Sequence, residues 1–407
     1  MSSGKGDPSV LRALNRRNVL NHIRRLGPTS RTQLADLTGL SGASISGVTA
    51  ELIADRLLVE RSVGAAGASG GRRPIYLDID YGAHAAAGMK LSEERGEIEA
   101  VLTDLSTRVL AHRTEALSGT TPGEVAVQVG RLCKTLARQA GVGPGRVIGV
   151  GIGLSGVIDA ASGTAVRGVK LGWENVPLAR LVTGQTGLPT WVDNDVNAFA
   201  AAERLFGHGK HARHFLVVAV GYGVGGAFVL NGEVYRGREG GAGEFGHNVA
   251  VPGGRPCGCG RRGCLGTYTD ERAVLRDFTG RHPEHAGLGR RDLAALADGG
   301  HAGAREVLGT AGRLLGTHLS YLVNALNPEL VVIGGEGAEF GESYFGPLRE
   351  TLHAHTFDGL ADHLPVVVVP WEEGHFTPWV RGAASLAVAS AFETGAIAKG
   401  EAVSPAP

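Results

Sequence analysis

The chain has 407 residues, carries 40 Lys/Arg against 40 Asp/Glu, and is 43% hydrophobic. That length exceeds one ordinary domain and implies two or three, the hydrophobic fraction excludes a disordered chain, and 65 glycines without a three-residue period exclude collagen. The longest apolar stretches, such as 364–371, are too short to span a bilayer, and the first ten residues hold no apolar signal region, so the expectation is a cytoplasmic protein with no membrane partner.

Charge is uneven along the chain. Residues 1–82 hold 11 Lys/Arg and 7 Asp/Glu, an excess of four positive charges that the remainder balances. A basic head on a mildly acidic body points to a nucleic-acid module joined to something else. The first predicted helix covers 10–26, with Val10, Leu11, Leu14, Val19, Leu20, Ile23 and Leu26 near helical spacing. Gly27-Pro28 ends it. Ser30 caps the next helix and Gln33 completes a capping box, with Leu34, Ala35 and Leu37 as its inner face. Thr38-Gly39-Leu40 makes a short turn. The third helix starts near Ser41 and has Ile45, Val48, Leu52 and Ile53 as its apolar positions. Its other face, Ser41, Gly42, Ala43, Ser44, Ser46, Gly47 and Thr49, is small enough for close approach to base edges and phosphates. Strands over 57–62 and 74–79 flank a glycine-rich segment ending in Arg72 and Arg73, a pair that suits a narrow minor groove. The head, 1–82, reads as a winged helix-turn-helix. Its candidate contacts to operator double-stranded DNA are Arg31, Ser41, Gly42, Ala43, Ser44, Ser46, Arg72 and Arg73. Two helices around a glycine turn also occur in many helical proteins, and a Gly/Arg linker is the other reading of 63–73.

The body is α/β. Strands are predicted over 84–91, 97–104 and 108–116, then a helix over 122–140 and an apolar strand from Arg146. A similar series restarts at 213, with a long helix over 303–326 and a strand from Glu329. This duplication implies two related lobes, 83–198 completed by a C-terminal helix at about 384–397, and 199–383, with a ligand cleft between them.

Three of the four cysteines crowd into residues 257–264, shortly after His247. Cys257, Cys259 and Cys264 with His247 make a closed tetrahedral set, the pattern of one structural Zn2+ per chain. Cys133, alone in an apolar helix, reads as core.

With Glu244-Phe245-Gly246-His247 ahead of those cysteines, Asn194-Asp195-Val196-Asn197 after a short strand, and Gly71-Arg72-Arg73-Pro74 in the wing, the chain resembles the ROK family of bacterial sugar kinases and sugar-responsive repressors over about 10–395. The resemblance implies a two-lobed, actin-like, hexokinase-type body. It also implies a sugar site at Asn194, Asp195, Glu244 and His247, where the kinases use the aspartate as base. Two positions depart from the family: Gly266 replaces a glutamate and Lys170 an asparagine. The family's DxGGT phosphate turn is replaced by Lys90-Leu91-Ser92-Glu93-Glu94, and Tyr222 stands in the second phosphate turn where the kinases carry threonine. The expectation is a non-enzymatic repressor of sugar uptake or catabolism genes, a homodimer or homotetramer controlled by a sugar effector. The alternatives are an active ROK sugar kinase with an added DNA-binding head, and a sugar-independent DNA-binding scaffold. The loss of the phosphate turn weighs against the kinase.

Overall fold

The computed structural model describes residues 7–62, 75–371 and 378–397. The segment holding Arg72 and Arg73 lies outside the described residues. At the head, the Asp7 carboxylate accepts the Ser9 N–H and opens α1 (Pro8–Leu26). β1 (Thr29–Ser30) leads into α2 (Arg31–Thr38), where Ser30 and Gln33 form a reciprocal capping box and Gly39 ends the helix at φ 71°. Ser41 caps α3 (Gly42–Ala54) through the Ser44 N–H. β2 (Leu58–Ser62) and β3 (Ile75–Ile79) complete an antiparallel sheet in the order β1-β3-β2. Helix, strand, helix, helix, strand, strand is the element order of a winged helix-turn-helix.

The apolar stripe of α1 is only partly used. Val19, Leu20 and Ile23 are buried with Leu34, Ile45, Leu52 and Leu77, whereas Val10, Leu11, Leu14 and Leu26 are exposed, as is Leu37 of α2. Helical spacing fixes which face of a helix is apolar, and it leaves open how far the partner surface extends along it. Thr49, expected on the outer face of α3, is fully buried.

The chain divides into two compact units, one taking the described residues up to Ala198 together with those from Val380, the other Phe199–Trp379. In the first, β4 (Ala85–Ser92), β5 (Glu97–Asp104) and β6 (Val109–Ala116) form a meander, followed by α4 (Pro122–Gln139) and β7 (Val147–Leu154). A small sheet of β8 (Val157–Asp159), β9 (Thr164–Gly168) and β10 (Trp173–Val176) then precedes α5 (Leu178–Thr186) and β11 (Thr190–Asn194). α6 (Asp195–Leu205) crosses the boundary between the units. The five-stranded sheet runs β11-β7-β4-β5-β6, with β4 antiparallel to β5 and parallel to β7.

The second unit repeats this plan. β12 (Phe215–Val220), β13 (Val224–Leu230) and β14 (Glu233–Tyr235) form the meander. Helices α7 (Gly266–Thr269), α8 (Glu271–Arg281), α9 (Arg290–Asp298) and α10 (Ala302–Leu326) follow, then β15 (Leu330–Gly334), α11 (Glu342–His355) and β16 (Val366–Val368). Its sheet runs β14-β13-β12-β15-β16, the strand order of the first unit read from the other edge. The duplication expected from sequence is therefore present in topology.

The last helix, α12 (Pro378–Thr394), lies on the first sheet. A Cβ on Gly88 would fall 2.3 Å from the Val380 carbonyl oxygen, and one on Gly151 would fall 1.8 Å from that of Ala383. These glycines are register partners on β4 and β7, so backbone meets backbone across the contact. Beyond it, the head is fastened to α12. Arg16 Nε donates to the Gly395 carbonyl at 2.7 Å, and Asn21 Nδ2 donates to that of Phe392 at 2.9 Å.

Candidate functional site

In the second unit, Phe245–His247 form a single 3-10 turn, and the cysteine loop folds back against it through isolated bridges Val249–Cys264 and Pro256–Arg262. Gly260 and Gly263 take φ of 85° and 80°, letting the chain wrap tightly. The four donor atoms of His247, Cys257, Cys259 and Cys264 lie within 4.8 Å of one another. His247 Nδ1 is 3.5 Å from Cys257 Sγ, and Cys259 Sγ is 3.7 Å from Cys264 Sγ. A tetrahedral zinc with Zn–S near 2.3 Å separates two sulfurs by about 3.8 Å, so the donors fit that ion. Burial raises the Cys259 thiol, but hydrogen bonds from Arg261 outweigh it and bring the thiol down to about 6. Burial and the neighbouring sulfurs push Cys264 up to about 12. A divalent cation removes that conflict by stabilising all three thiolates. Zinc would be held by these four residues as a closed, structural site.

Two supporting roles were not read from sequence. The Glu244 carboxylate lies 3.7 Å from His247 Nε2, with Nδ1 turned to Cys257. That is the carboxylate–histidine arrangement that orients metal-bound imidazoles. Arg255 donates to Asp277 at 2.8 Å and to the Thr267 carbonyl at 3.0 Å, and stacks over Tyr268. It ties the metal loop to α8. The i, i+3 spacing of Glu244 and His247 could have flagged the first; the second spans 22 residues and leaves no local pattern.

In the first unit, Asn194 and Asp195 stand where β11 becomes α6. Asn194 Oδ1 accepts the Val196 N–H at 2.9 Å, which is the helix-capping bond, and its Nδ2 donates to the Gly156 carbonyl. Asp195 is thereby free of that duty for Oδ2, which receives Lys90 Nζ at 2.5 Å. Ser155 Oγ lies 3.4 Å from the same oxygen and 3.4 Å from Glu93 Oε2. Lys170 pairs with Glu94. Burial raises the Asp195 carboxyl, but the charge and hydrogen bond of Lys90, the Val196 N–H and the charge of Lys170 together leave it below its ordinary value. Asp195 is thus an ionised hydrogen-bond acceptor, and a weak base.

A sequence profile described as "ROK family" matches residues 95–390. The chain belongs to the ROK family. It is 30% identical over 368 residues to the xylose repressor of Caldicellulosiruptor bescii, covering 86% of this chain and 90% of that protein. It is 36% identical over 229 residues to the glucokinase of Halalkalibacterium halodurans, covering 53% of this chain and 69% of the kinase. A crystal structure of a ROK family transcriptional regulator, a homologue of the Escherichia coli MLC protein, superposes with TM-score 0.82 at 26% identity, over 95% of this chain and 98% of that one.

Gly221-Tyr222-Gly223, the segment that the resemblance sets against the family's second phosphate turn, lies between β12 and β13 in the second unit. The Gly221 carbonyl accepts the Glu271 N–H at 2.9 Å, and the Glu336 carboxylate packs so close that a Cβ on Gly221 would fall 2.2 Å from it. At Gly266 a Cβ would meet nothing nearer than 3.5 Å, so the fold does not require glycine where the family often has glutamate. Cys133 is buried, its thiol pushed up to about 12 by desolvation, as a core residue should be.

In the head, Ser41, Gly42, Ala43, Ser44 and Ser46 are all exposed at the N-terminal end of α3. Arg31 is engaged with the Thr49 hydroxyl at 3.2 Å and Glu60 at 2.6 Å. Arg12 and Arg16 of α1 pair with Glu51 and, for Arg16, Asp55. Arg12, Arg16 and Arg31 are therefore engaged within the head. Among the described residues no helix is long and apolar enough to cross a membrane.

Proposed function

We propose that this ROK protein is a DNA-binding transcriptional repressor whose body binds a sugar without phosphorylating it. The ion pair between Lys90 and Asp195 carries this reading. A ROK kinase would need Asp195 free to take a proton from the attacking hydroxyl, whereas here it is ionised, weakly basic and bound to an ammonium 2.5 Å away. Glu93 and Glu94 follow Lys90 in the segment that stands for the family's first phosphate turn, and Glu336 packs against Gly221 in the segment that stands for the second; a carboxylate in either repels phosphate. The helix-turn-helix head and the repressor among the relatives support the regulatory role. Asn194, Asp195, Glu244 and His247 are the proposed sugar contacts, with His247 also a zinc ligand. The exposed N-terminal end of α3 and the wing arginines are the proposed operator contacts, and a second copy of the chain is the proposed assembly partner.

The test is sugar-dependent release of ADP from ATP with D-glucose, D-xylose and a panel of mono- and disaccharides. No turnover above a no-sugar control is expected. Turnover that Asp195→Asn abolishes would overturn the proposal in favour of a kinase with a DNA-binding head.

A further inference from the structure

Lys90 stands in the middle of a buried strand. It is 8% exposed, between Met89 and Leu91, which are both fully buried. Lysine is rarely found in such a place unless paired, because removing an ammonium from water is costly. An apolar residue would fill this position of β4 at lower cost, so the charge itself needs a reason.

The geometry around Asp195 supplies one. Its Oδ1 accepts the Val196 N–H at 2.9 Å, and its Oδ2 takes Lys90 at 2.5 Å with Ser155 Oγ at 3.4 Å. A carboxylate offers about four lone-pair directions, so these contacts fix its plane and leave one direction open. The other charged groups nearby are Lys170, paired with Glu94; Glu93, which faces Ser155; and Glu99, opposite Lys90 on β5, whose carboxylate lies 3.1 Å from His112 Nε2. Asp193, one residue before Asn194, turns away to Asn197.

We propose that Lys90 is a positioning residue for effector recognition: its ammonium is a resident counter-ion that fixes the Asp195 carboxylate and leaves one acceptor direction for a hydroxyl of an uncharged sugar. This rests on the reading of Asp195 as a sugar contact. The cluster of Lys90, Lys170, Glu93, Glu94, Glu99 and Asp195 carries four carboxylates against two ammoniums. A sugar phosphate or uronate therefore meets net repulsion there, whereas a neutral hydroxyl does not.

Two readouts separate the proposal from the reading beneath it. The first needs no sugar: the Asp195 carboxyl carbon is followed by 13C NMR from pH 3 to 8, assigned by its loss in Asp195→Asn. In the wild type it titrates below the ordinary carboxylate value, and in Lys90→Met its midpoint rises by about one pH unit or more. The second is calorimetric titration of D-xylose and D-glucose between pH 5 and 8. Wild type and Lys90→Arg bind with a flat pH profile, whereas Lys90→Met binds about tenfold more weakly or worse and loses affinity further as the pH falls. Lys90→Gln, whose amide still donates to Asp195 without a charge, replaces Lys90→Met if that variant does not fold.

An Asp195 midpoint and a pH profile that Lys90→Met or Lys90→Gln leaves unchanged would overturn the proposal, even if the melting temperature drops. Tighter binding of glucose 6-phosphate than of glucose would overturn its uncharged-sugar part. Sugar binding that survives Asp195→Asn, or wild type that binds neither sugar, sinks the site reading instead, while the carboxyl titration still decides what Lys90 does.

Discussion

Gly47 sits inside α3, exposed, where a Cβ would meet no protein atom within 4 Å. Glycine there costs the helix about 1 kcal/mol relative to alanine, and nothing in the packing of the head requires it. Close approach of DNA to that face is a reason to keep it. Gly47→Ala is therefore expected to stabilise the head by about 1 kcal/mol while weakening operator binding. Thermal melting and fluorescence anisotropy check the two halves, and an unchanged operator affinity would remove Gly47 from the interface. The metal residues make a second prediction at this scale. Cys259→Ser should lower the zinc content from one ion per chain and loosen the loop between Val249 and Cys264, measured by metal analysis and hydrogen exchange. A wild-type protein that purifies without metal and with reactive thiols would contradict the zinc assignment. The cysteine and histidine ligands were legible in the sequence because metal chemistry demands few residue types at short spacing. The Lys90–Asp195 pair was not, because it joins positions 105 residues apart; the one local sign was a lysine inside an otherwise apolar strand.

At the scale of elements, the sequence was most informative where a local rule acts. The capping box at Ser30 and Gln33 and the left-handed Gly39 both follow from short-range chemistry. The small sheet β8-β9-β10 and helix α5 were missed, since their strands are short and carry weak periodicity. The reach of the head core was misjudged for a different reason: Val10, Leu11 and Leu14 keep the period of a buried face without a partner to cover them. The junction of α1 with α12 was also invisible, because it pairs Asn21 with a carbonyl 371 residues away. That junction links the head to the helix lying on Gly88, two residues before Lys90 on β4. Asn21→Ala, which removes one hydrogen bond worth about 1 kcal/mol, should reduce the effect of sugar on operator affinity more than it reduces the affinity itself. The ratio of operator dissociation constants with and without sugar measures this. A ratio equal to wild type would show that the junction does not transmit the response.

Across the whole molecule, one strand order is used twice and put to different uses. The first unit holds the Asp195 cluster and packs the head through α12, while the second holds the His247–Cys264 loop and the Gly221–Gly223 turn. A head fastened by Arg16 and Asn21, with Arg146 Nε donating to the Ala83 carbonyl at 2.8 Å, belongs with the first unit and not on a free linker. A sugar at Asp195 then acts on the body that carries the head, provided it prefers one of two conformations. The central claim is that Asp195 is where the effector is sensed. Operator binding by fluorescence anisotropy, with and without the sugar that binds the wild type, tests it most directly. The wild type should show a coupling of about 1–3 kcal/mol, roughly 5- to 150-fold in affinity, and Asp195→Ala should show none. A full sugar response in Asp195→Ala would place the effector site elsewhere and contradict the account.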